Sequence, residues 1–404
     1  MSAALPPVGN ILTSRELAHD FPFFNSTHDE FRALVRARLA ESVLPHAQAW
    51  EQRGHIDPDG WKALGAAGLL EVGHSGDDFL RSAVLLEELG ATGYAGIRAS
   101  VGVHSYMALS YVLLFGTPEQ RQAWVPAAQR GERVNALAIS EPNAGSDLRD
   151  LRTLARPRGA DDAAGFVLDG RKSYVANGTR AGLLVVLART GRPGGTPAGT
   201  GADRGLAGAS MLLVDADSPG VTRRPQPMAG WLAADIAEID FDHVEVPQGA
   251  LLGRRGRALL QLMRALDFER LVAGLLAVGG VRYTLELLDT HVRTRQVKGV
   301  PLGSHQAVRH QLGDLYGEFD MVRRYAHHAA WMHARGRLDT RTASVLKLRS
   351  TELAVTAAQV CARYHGALGY QEGADAARVH RDATAGTIAA GASELLRDMI
   401  FEAN

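Results

Sequence analysis

The sequence predicts an α+β protein in which an antiparallel β unit is enclosed, in chain order, by two helical units. Two observations carry this. Apolar residues follow the 3.6-residue helical period through the first third of the chain, change to short strand-like runs from Val134, and return to the helical period from about Gly256. The strand-like runs succeed one another without helical patterns between them, which indicates an antiparallel barrel or sandwich. At 404 residues the chain is long enough for two or three units of roughly 100–200 residues each.

Taken in order, residues 1 to about 20, with Pro6 and Pro7, read as an arm or frayed end. The first helix is expected to start near Thr27, because Thr27 and Glu30 have capping-box spacing, and to carry Phe31, Leu34, Val35, Leu39 and Val43 on one face until Pro45 kinks or ends it. Further helices follow around Trp61 to Gly68, from Phe79 to Gly90, and from about Ala95 to Phe115. Gly116 is expected as a left-handed cap. Thr117, Pro118 and Gln120 then start the next helix as N-cap, first residue and capping partner. The strand candidates are Val134–Ile139, Phe166–Leu168, Leu183–Leu187, Met211–Val214 and Ile239–Phe241, with Asp169-Gly170 as a hairpin turn. The stretch from Gly191 to Gly208 has too few large apolar residues to pack and reads as a mobile loop.

Composition excludes several classes. Lys+Arg and Asp+Glu are equal at 44 each, so overall charge gives no case for nucleic acid or an anionic membrane. The single cysteine, Cys361, rules out an internal disulfide and a multi-cysteine metal site, and lies in an apolar helical run as a buried thiol. No uninterrupted apolar run reaches the roughly 18 residues of a membrane span, and there is no basic-then-apolar leader, so a cytoplasmic protein is expected.

The strongest candidate for chemistry is Glu269, in Ala265-Leu-Asp-Phe-Glu-Arg-Leu-Val-Ala273, inside the longest helical pattern of the chain. A carboxylate held away from water on a rigid helix gains proton affinity and becomes a candidate general base. The alternative is a structural ion pair with Arg270 or another basic neighbour.

The segment Ile139-Ser-Glu-Pro-Asn-Ala-Gly-Ser-Asp147 leaves a strand and enters a turn whose N–H groups and Ser140 and Ser146 hydroxyls can bind an anionic or carbonyl-rich ligand. It resembles the signature of the acyl-CoA dehydrogenase family. Leu86-Glu-Glu-Leu-Gly90, Phe115-Gly-Thr-Pro-Glu-Gln120, Gly170-Arg-Lys-Ser-Tyr-Val-Ala-Asn-Gly178, Val244-Glu-Val-Pro247, Glu269-Arg-Leu271, Arg381-Asp382 and Gly391-Ala-Ser-Glu394 also fall in family order. The resemblance covers nearly the whole chain. It implies an N-terminal helical domain (1–133), a central antiparallel β-barrel (134–250) and a C-terminal four-helix bundle (251–404). It also implies FAD as cofactor and oxidation of an acyl thioester, on CoA or an acyl-carrier protein, to the α,β-enoyl thioester. An electron-transfer flavoprotein or another acceptor, and a homodimer or homotetramer, are the implied partners.

By family position, Leu137, Ile139 and Ser140 lie along the flavin, Ser146 near phosphates or the pantetheine entrance, and Tyr174 and Ala176 beside the ring. Ala176 departs from the usual Thr. Arg295 matches an arginine that reaches FAD from a neighbouring subunit, while Val297 and Lys298 replace the usual Thr and Phe. Arg363 stands where Gln is typical, Gly366-Ala-Leu-Gly-Tyr370 loosens a glycine-rich turn, and Glu394 faces cofactor. The family's usual base precedes the late glycine, where this chain has Ala390; a subset, including isovaleryl-CoA and long-chain enzymes, carries it at the position of Glu269. The resemblance therefore implies Glu269 as base, Arg270 orienting it, and the Ala390 backbone N–H polarising the thioester carbonyl. A flavin oxidase or monooxygenase on this fold, and a non-catalytic subunit, are the alternatives.

Overall fold

The computed structural model describes residues 16–73, 76–158, 164–190, 206 and 208–403. The chain opens with α1 (Leu17–Asp20), whose Leu17 and Ala18 N–H groups donate to the Asp29 carboxylate. Residues 16–20 are therefore anchored, not frayed. The helix α2 (Ser26–Ser42) begins before Thr27: Asn25 is the N-cap, and His28 completes the capping box through Nδ1. Asparagine accepts the first N–H groups as well as threonine does, and it comes first in the chain. Pro45 sits in the first turn of α3 (Leu44–Arg53). Next come α4 (Pro58–Ala66), α5 (Gly76–Gly90), α6 (Ala95–Val101), α7 (Leu109–Phe115) and α8 (Pro118–Gln129), with a π-helical turn at 102–108 between α6 and α7. The Thr117–Gln120 capping box forms as expected. Gly116, however, is extended at φ −73°, ψ 152°, because Thr117 takes over the next helix at once and no left-handed residue is needed.

The strands are β1 (Val134–Ala138), β2 (Leu154–Pro157), β3 (Phe166–Val175), β4 (Ala181–Arg189), β5 (Ala209–Asp215), β6 (Val221–Pro225), β7 (Ala237–Val246) and β8 (Leu251–Leu252). They form one sheet in the order β6-β7-β3-β2-β4-β5-β8, with β1 also on β4. The expected closed antiparallel barrel is not found. The sheet is mixed, because β1 and β2 both run parallel to β4 while the remaining pairs are antiparallel, and it is open, because β6 and β8 each pair with one strand. Its ends have the character of true edges: β6 carries Arg223, Arg224 and Pro225, and β8 is two residues long. Asp169-Gly170 is not a hairpin turn but a register shift inside the continuous strand β3. Gly170 is required there because a Cβ would lie 2.7 Å from Thr153 Cα. The stretch from Gly191, apart from residues 206 and 208, falls outside the described residues.

The 37-residue helix α9 (Ala258–Thr294) follows. The chain then passes β9 (Gln296–Val297) and β10 (Val300–Pro301), and ends in α10 (Gln306–Ala334), α11 (Thr340–His365), α12 (Asp375–Ile388) and α13 (Ser393–Glu402). An 18-residue window of α9 is apolar enough to cross a membrane, but 72% of it is buried inside the protein, so its apolarity is core packing. Cys361 is buried in α11.

Two hydrophobic cores organise the molecule. One joins Leu17 to Tyr106 with α9–α12, so the helices before and after the sheet share a single interior. The other holds the sheet with α7 and the first turns of α9. Helices α5 and α9 approach backbone to backbone: a Cβ on Gly279 would lie 2.0 Å from the Glu87 carbonyl oxygen. Ala258, Leu262 and Ala265 of α9 belong to the sheet core, whereas Phe268, Leu271 and Val272 belong to the helical one. Glu269 sits at that seam.

Candidate active site

Glu269 is held by position along α9, and the side chain is only 5% exposed. Its Oε1 accepts a hydrogen bond of 2.9 Å from the hydroxyl of Tyr111, which projects from α7 in the sheet core. Burial raises the carboxyl's affinity for its proton to a pKa of about 7, with Tyr111 and the charge of Arg270 opposing but not cancelling the effect. Burial and the neighbouring carboxylate keep the Tyr111 phenol neutral, well above its ordinary value, so it stays a donor.

Arg270 does not pair with this carboxylate. Its Nη1 donates to Asp267 Oδ1 at 2.8 Å, and Asp267 also accepts from the Thr340 hydroxyl. The two neighbours on the helix therefore diverge, and among the described residues Glu269 keeps one neutral donor and no hydrogen-bonded cation. Arg270 is itself 4% exposed, and its Nε has no hydrogen-bond partner.

That Nε faces the turn between α12 and α13: a Cβ on Gly391 would lie 3.9 Å from it. Ala390 and Gly391 are both left-handed, at φ 54° and 102°. The carbonyl of Gly391 accepts from Nζ of Lys347, a fully buried residue of α11. Burial, then the charge of Arg270, lowers the Lys347 ammonium to about 8. Glu394 is exposed in the first turn of α13. Arg270, which follows Glu269 on α9, and the Ala390–Gly391 turn are thus neighbours although more than a hundred residues separate them in the chain.

A second group gathers at the end of β1. Leu137, Ile139 and Ser140 are half-buried there. The Ile139 carbonyl accepts from Lys172 Nζ at 2.9 Å, and the Ser140 carbonyl accepts from the Ser173 N–H, which places Tyr174 alongside. Tyr174 is left-handed at φ 59° and 62% exposed. Ala176 is half-buried, and Ser146 is exposed. The Glu of the Ser-Glu-Pro motif is structural: Glu141 is buried against Lys172 at 2.9 Å. An isoalloxazine ring needs an apolar platform and polar atoms at its edge. The open face of Tyr174, the strand end beside it, and the buried hydroxyl of Ser173, which has no partner among the described residues, fit that demand.

Arg295, Arg363 and Gly366 lie elsewhere. The rings of His291 and His365 stack at 3.9 Å, bringing the last turn of α9 to the end of α11. Arg295 is exposed there, Arg363 donates to Gln311, and Gly366 is left-handed at φ 62°. From Glu269 to Arg295 is 26 residues of almost continuous helix, about 39 Å at 1.5 Å per residue. Among the described residues one group has metal-ligand spacing, Asp169, Asp242 and His243, and His243 is already ion-paired to both carboxylates.

Sequence reasoning missed Tyr111 and Lys347. Each is a single polar residue in an apolar helical run, and the partners are 158 and 44 positions away. The presence of Lys347 as one of four lysines in the chain was the only signal.

Three models of the acyl-CoA dehydrogenase family match the chain: the N-terminal domain over residues 25–132, the middle domain over 136–244 and the C-terminal domain over 256–404. The long-chain specific acyl-CoA dehydrogenase of Rattus norvegicus is 32% identical over 93% of this chain and 86% of its own length. The isovaleryl-CoA dehydrogenase of Solanum tuberosum is 31% identical over 93% of this chain and 90% of its own. The crystal structure of an acyl-CoA dehydrogenase from Geobacillus kaustophilus superposes with a TM-score of 0.86 at 30% identity, covering 94% of this chain and 98% of that one.

Proposed function

This chain belongs to the acyl-CoA dehydrogenase family and is an FAD-dependent oxidoreductase of that type, and from that premise we propose that Glu269 removes the α-proton of a bound acyl thioester. What carries this reading is a carboxylate that is buried, has no hydrogen-bonded cation among the described residues, and holds its proton up to about pH 7. A base needs proton affinity near the working pH, and here burial supplies it. By the resemblance, Glu269 stands where long-chain and isovaleryl-CoA enzymes carry the base, and relatives with those names are among the proteins this chain is similar to, which supports a migrated Glu over a lost one.

Tyr111 fixes the carboxylate from the side of the sheet. Arg270, tied to Asp267, sets the helix turn that aims Glu269 without neutralising it. The Ala390 backbone N–H polarises the thioester carbonyl, so that the α-carbon can give up its proton to a carboxylate of modest strength. Leu137, Ile139, Ser140, Tyr174 and Ala176 would hold the flavin, with Ser146 and Glu394 at its outer contacts. Bound FAD supplies the acceptor for the β-hydride at N5. Water is kept from Glu269 by the two cores that meet around it.

Arg295 lies too far along α9 from Glu269, and Arg363 and Gly366 stand near it at the end of α11, for these three to share one cofactor with Glu269 in the same protomer. Their proposed role is to hold the FAD of a neighbouring subunit, which makes the working form a homodimer or homotetramer. The substrate is an acyl thioester on CoA or a carrier protein, and an electron-transfer flavoprotein or equivalent carrier takes the electrons. A cytoplasmic location and domains at residues 1–133, 134–250 and 251–404 complete the proposal.

The test is anaerobic titration of the purified protein with a panel of CoA and carrier-protein thioesters, following flavin absorbance beside Glu269→Gln. The native protein is expected to bleach with at least one thioester, and the variant about 10³-fold more slowly or worse. Equal rates in the two proteins would reject Glu269 as the base.

A further inference from the structure

Lys347 has no part in the reading above, yet it is fully buried and points into the site's turn. A buried ammonium costs free energy and persists where it does something that a neutral side chain cannot. Helix α11 brings it there by packing closely on α9: a Cβ on Gly274 would fall 2.6 Å from Leu346 Cγ, so only glycine lets the two helices approach. The charged groups acting on Lys347 are Arg270 from α9, Glu352 from α11 itself and Glu394 from α13.

The turn it touches is conformationally demanding. Ala390 carries a Cβ yet is left-handed at φ 54°, and Gly391 follows at φ 102°. Residues other than glycine rarely stay in this region unless the surroundings hold them. On one side Arg270 Nε comes near Gly391, and on the other Lys347 Nζ donates to the Gly391 carbonyl, the one described side-chain bond to this turn.

We propose that Lys347 is a positioning residue: its ammonium grips the Gly391 carbonyl and so keeps Ala390 in the left-handed conformation that presents its N–H to the thioester carbonyl. The inference rests on the assignment of Ala390 made above. A charge-assisted hydrogen bond is strong enough for this and directional enough to fix one peptide plane. The lowered proton affinity of Lys347 follows from the same burial.

The test compares Lys347→Met and Lys347→Arg as holoenzymes. Limiting rates of flavin reduction and half-saturating thioester concentrations are measured, together with amide hydrogen exchange over residues 386–396. Lys347→Met is expected to lower the limiting rate about 10- to 100-fold while moving the half-saturating concentration less than about threefold, since a misaligned donor weakens the transition state more than the ground state. Exchange at residues 389–392 rises in the same variant, and Lys347→Arg, which keeps a cationic donor, restores most of both. An unchanged limiting rate, or equal loss in both variants with release of FAD, overturns the proposal. If no thioester reduces the native flavin, the assignment of the reaction fails instead. Exchange then still decides the clamp, and unaltered protection at 389–392 in Lys347→Met rejects it.

Discussion

Two glutamates, both almost fully buried, sit on different elements of this molecule and behave in opposite ways. Glu141, at the end of β1, accepts from Lys172 Nζ at 2.9 Å and from the N–H groups of Arg152 and Thr153 at 2.7 and 2.9 Å. Burial alone would raise its pKa, but the lysine charge and these bonds outweigh burial and hold it below the ordinary value. Glu269, at the seam between the cores, has one phenol and no paired cation among the described residues, and burial wins. Burial therefore does not separate a structural carboxylate from a reactive one. The number and charge of the donors around it do.

The same substitution at the two sites should change stability in opposite directions. Glu141→Gln leaves Lys172 buried without its counter-charge and should cost about 3–5 kcal/mol of unfolding free energy at pH 7, read from urea denaturation. A cost below about 1 kcal/mol would break the contrast. Glu269→Gln should stabilise the protein instead. A carboxyl whose pKa is raised from 4.5 unfolded to about 7 folded destabilises the native state only where it must ionise. That penalty is absent below about pH 4.5, grows through the interval, and reaches up to about 3 kcal/mol above pH 7. The variant should thus unfold at higher urea than the native protein at pH 8 and at equal urea near pH 4.5. For Glu141 the sign reverses: its lowered pKa gives stability that is present above pH 4.5 and lost as pH falls through the folded value.

A smaller effect sharpens the account of Glu269 itself. Tyr111→Phe removes its single hydrogen-bond donor, so the carboxyl pKa should rise further. The limb of the rate of flavin reduction, expected in the native protein at about pH 7 where the base ionises, should move to higher pH by about one unit. At pH 6.5 the variant then runs about tenfold slower, and at pH 9 it approaches the native rate. An unmoved midpoint would separate Tyr111 from the base.

Much of this was legible in the chain, for identifiable reasons. Period changes mark the order helices, strands, helices because burial of one face imposes a repeat on each element. Thr117–Gln120 is legible because capping is local. Asn25 shows the limit of that logic, since two polar residues two positions apart are both competent caps and only the structure chooses. The strand pairing was misjudged. β2 carries Arg156 and Pro157 and gives little strand signal, yet it and β1 both lie parallel to β4 and make the sheet mixed. Parallel pairing joins segments that are remote in the chain, and no local pattern records it.

By itself the sequence determined that Glu269 would ride on a long packed helix, that the usual base position holds Ala390, and that the chain carries a family's motifs in order. These are properties of neighbouring residues or of their succession. Only the tertiary structure decided that Arg270 turns to Asp267, that Tyr111 supplies the one hydrogen bond to the carboxylate, and that Lys347 reaches Gly391. The physical reason is that a buried group's proton affinity depends on which donors and charges reach it through space. Those neighbours arrive from helices far apart in the chain, packed together by two hydrophobic cores.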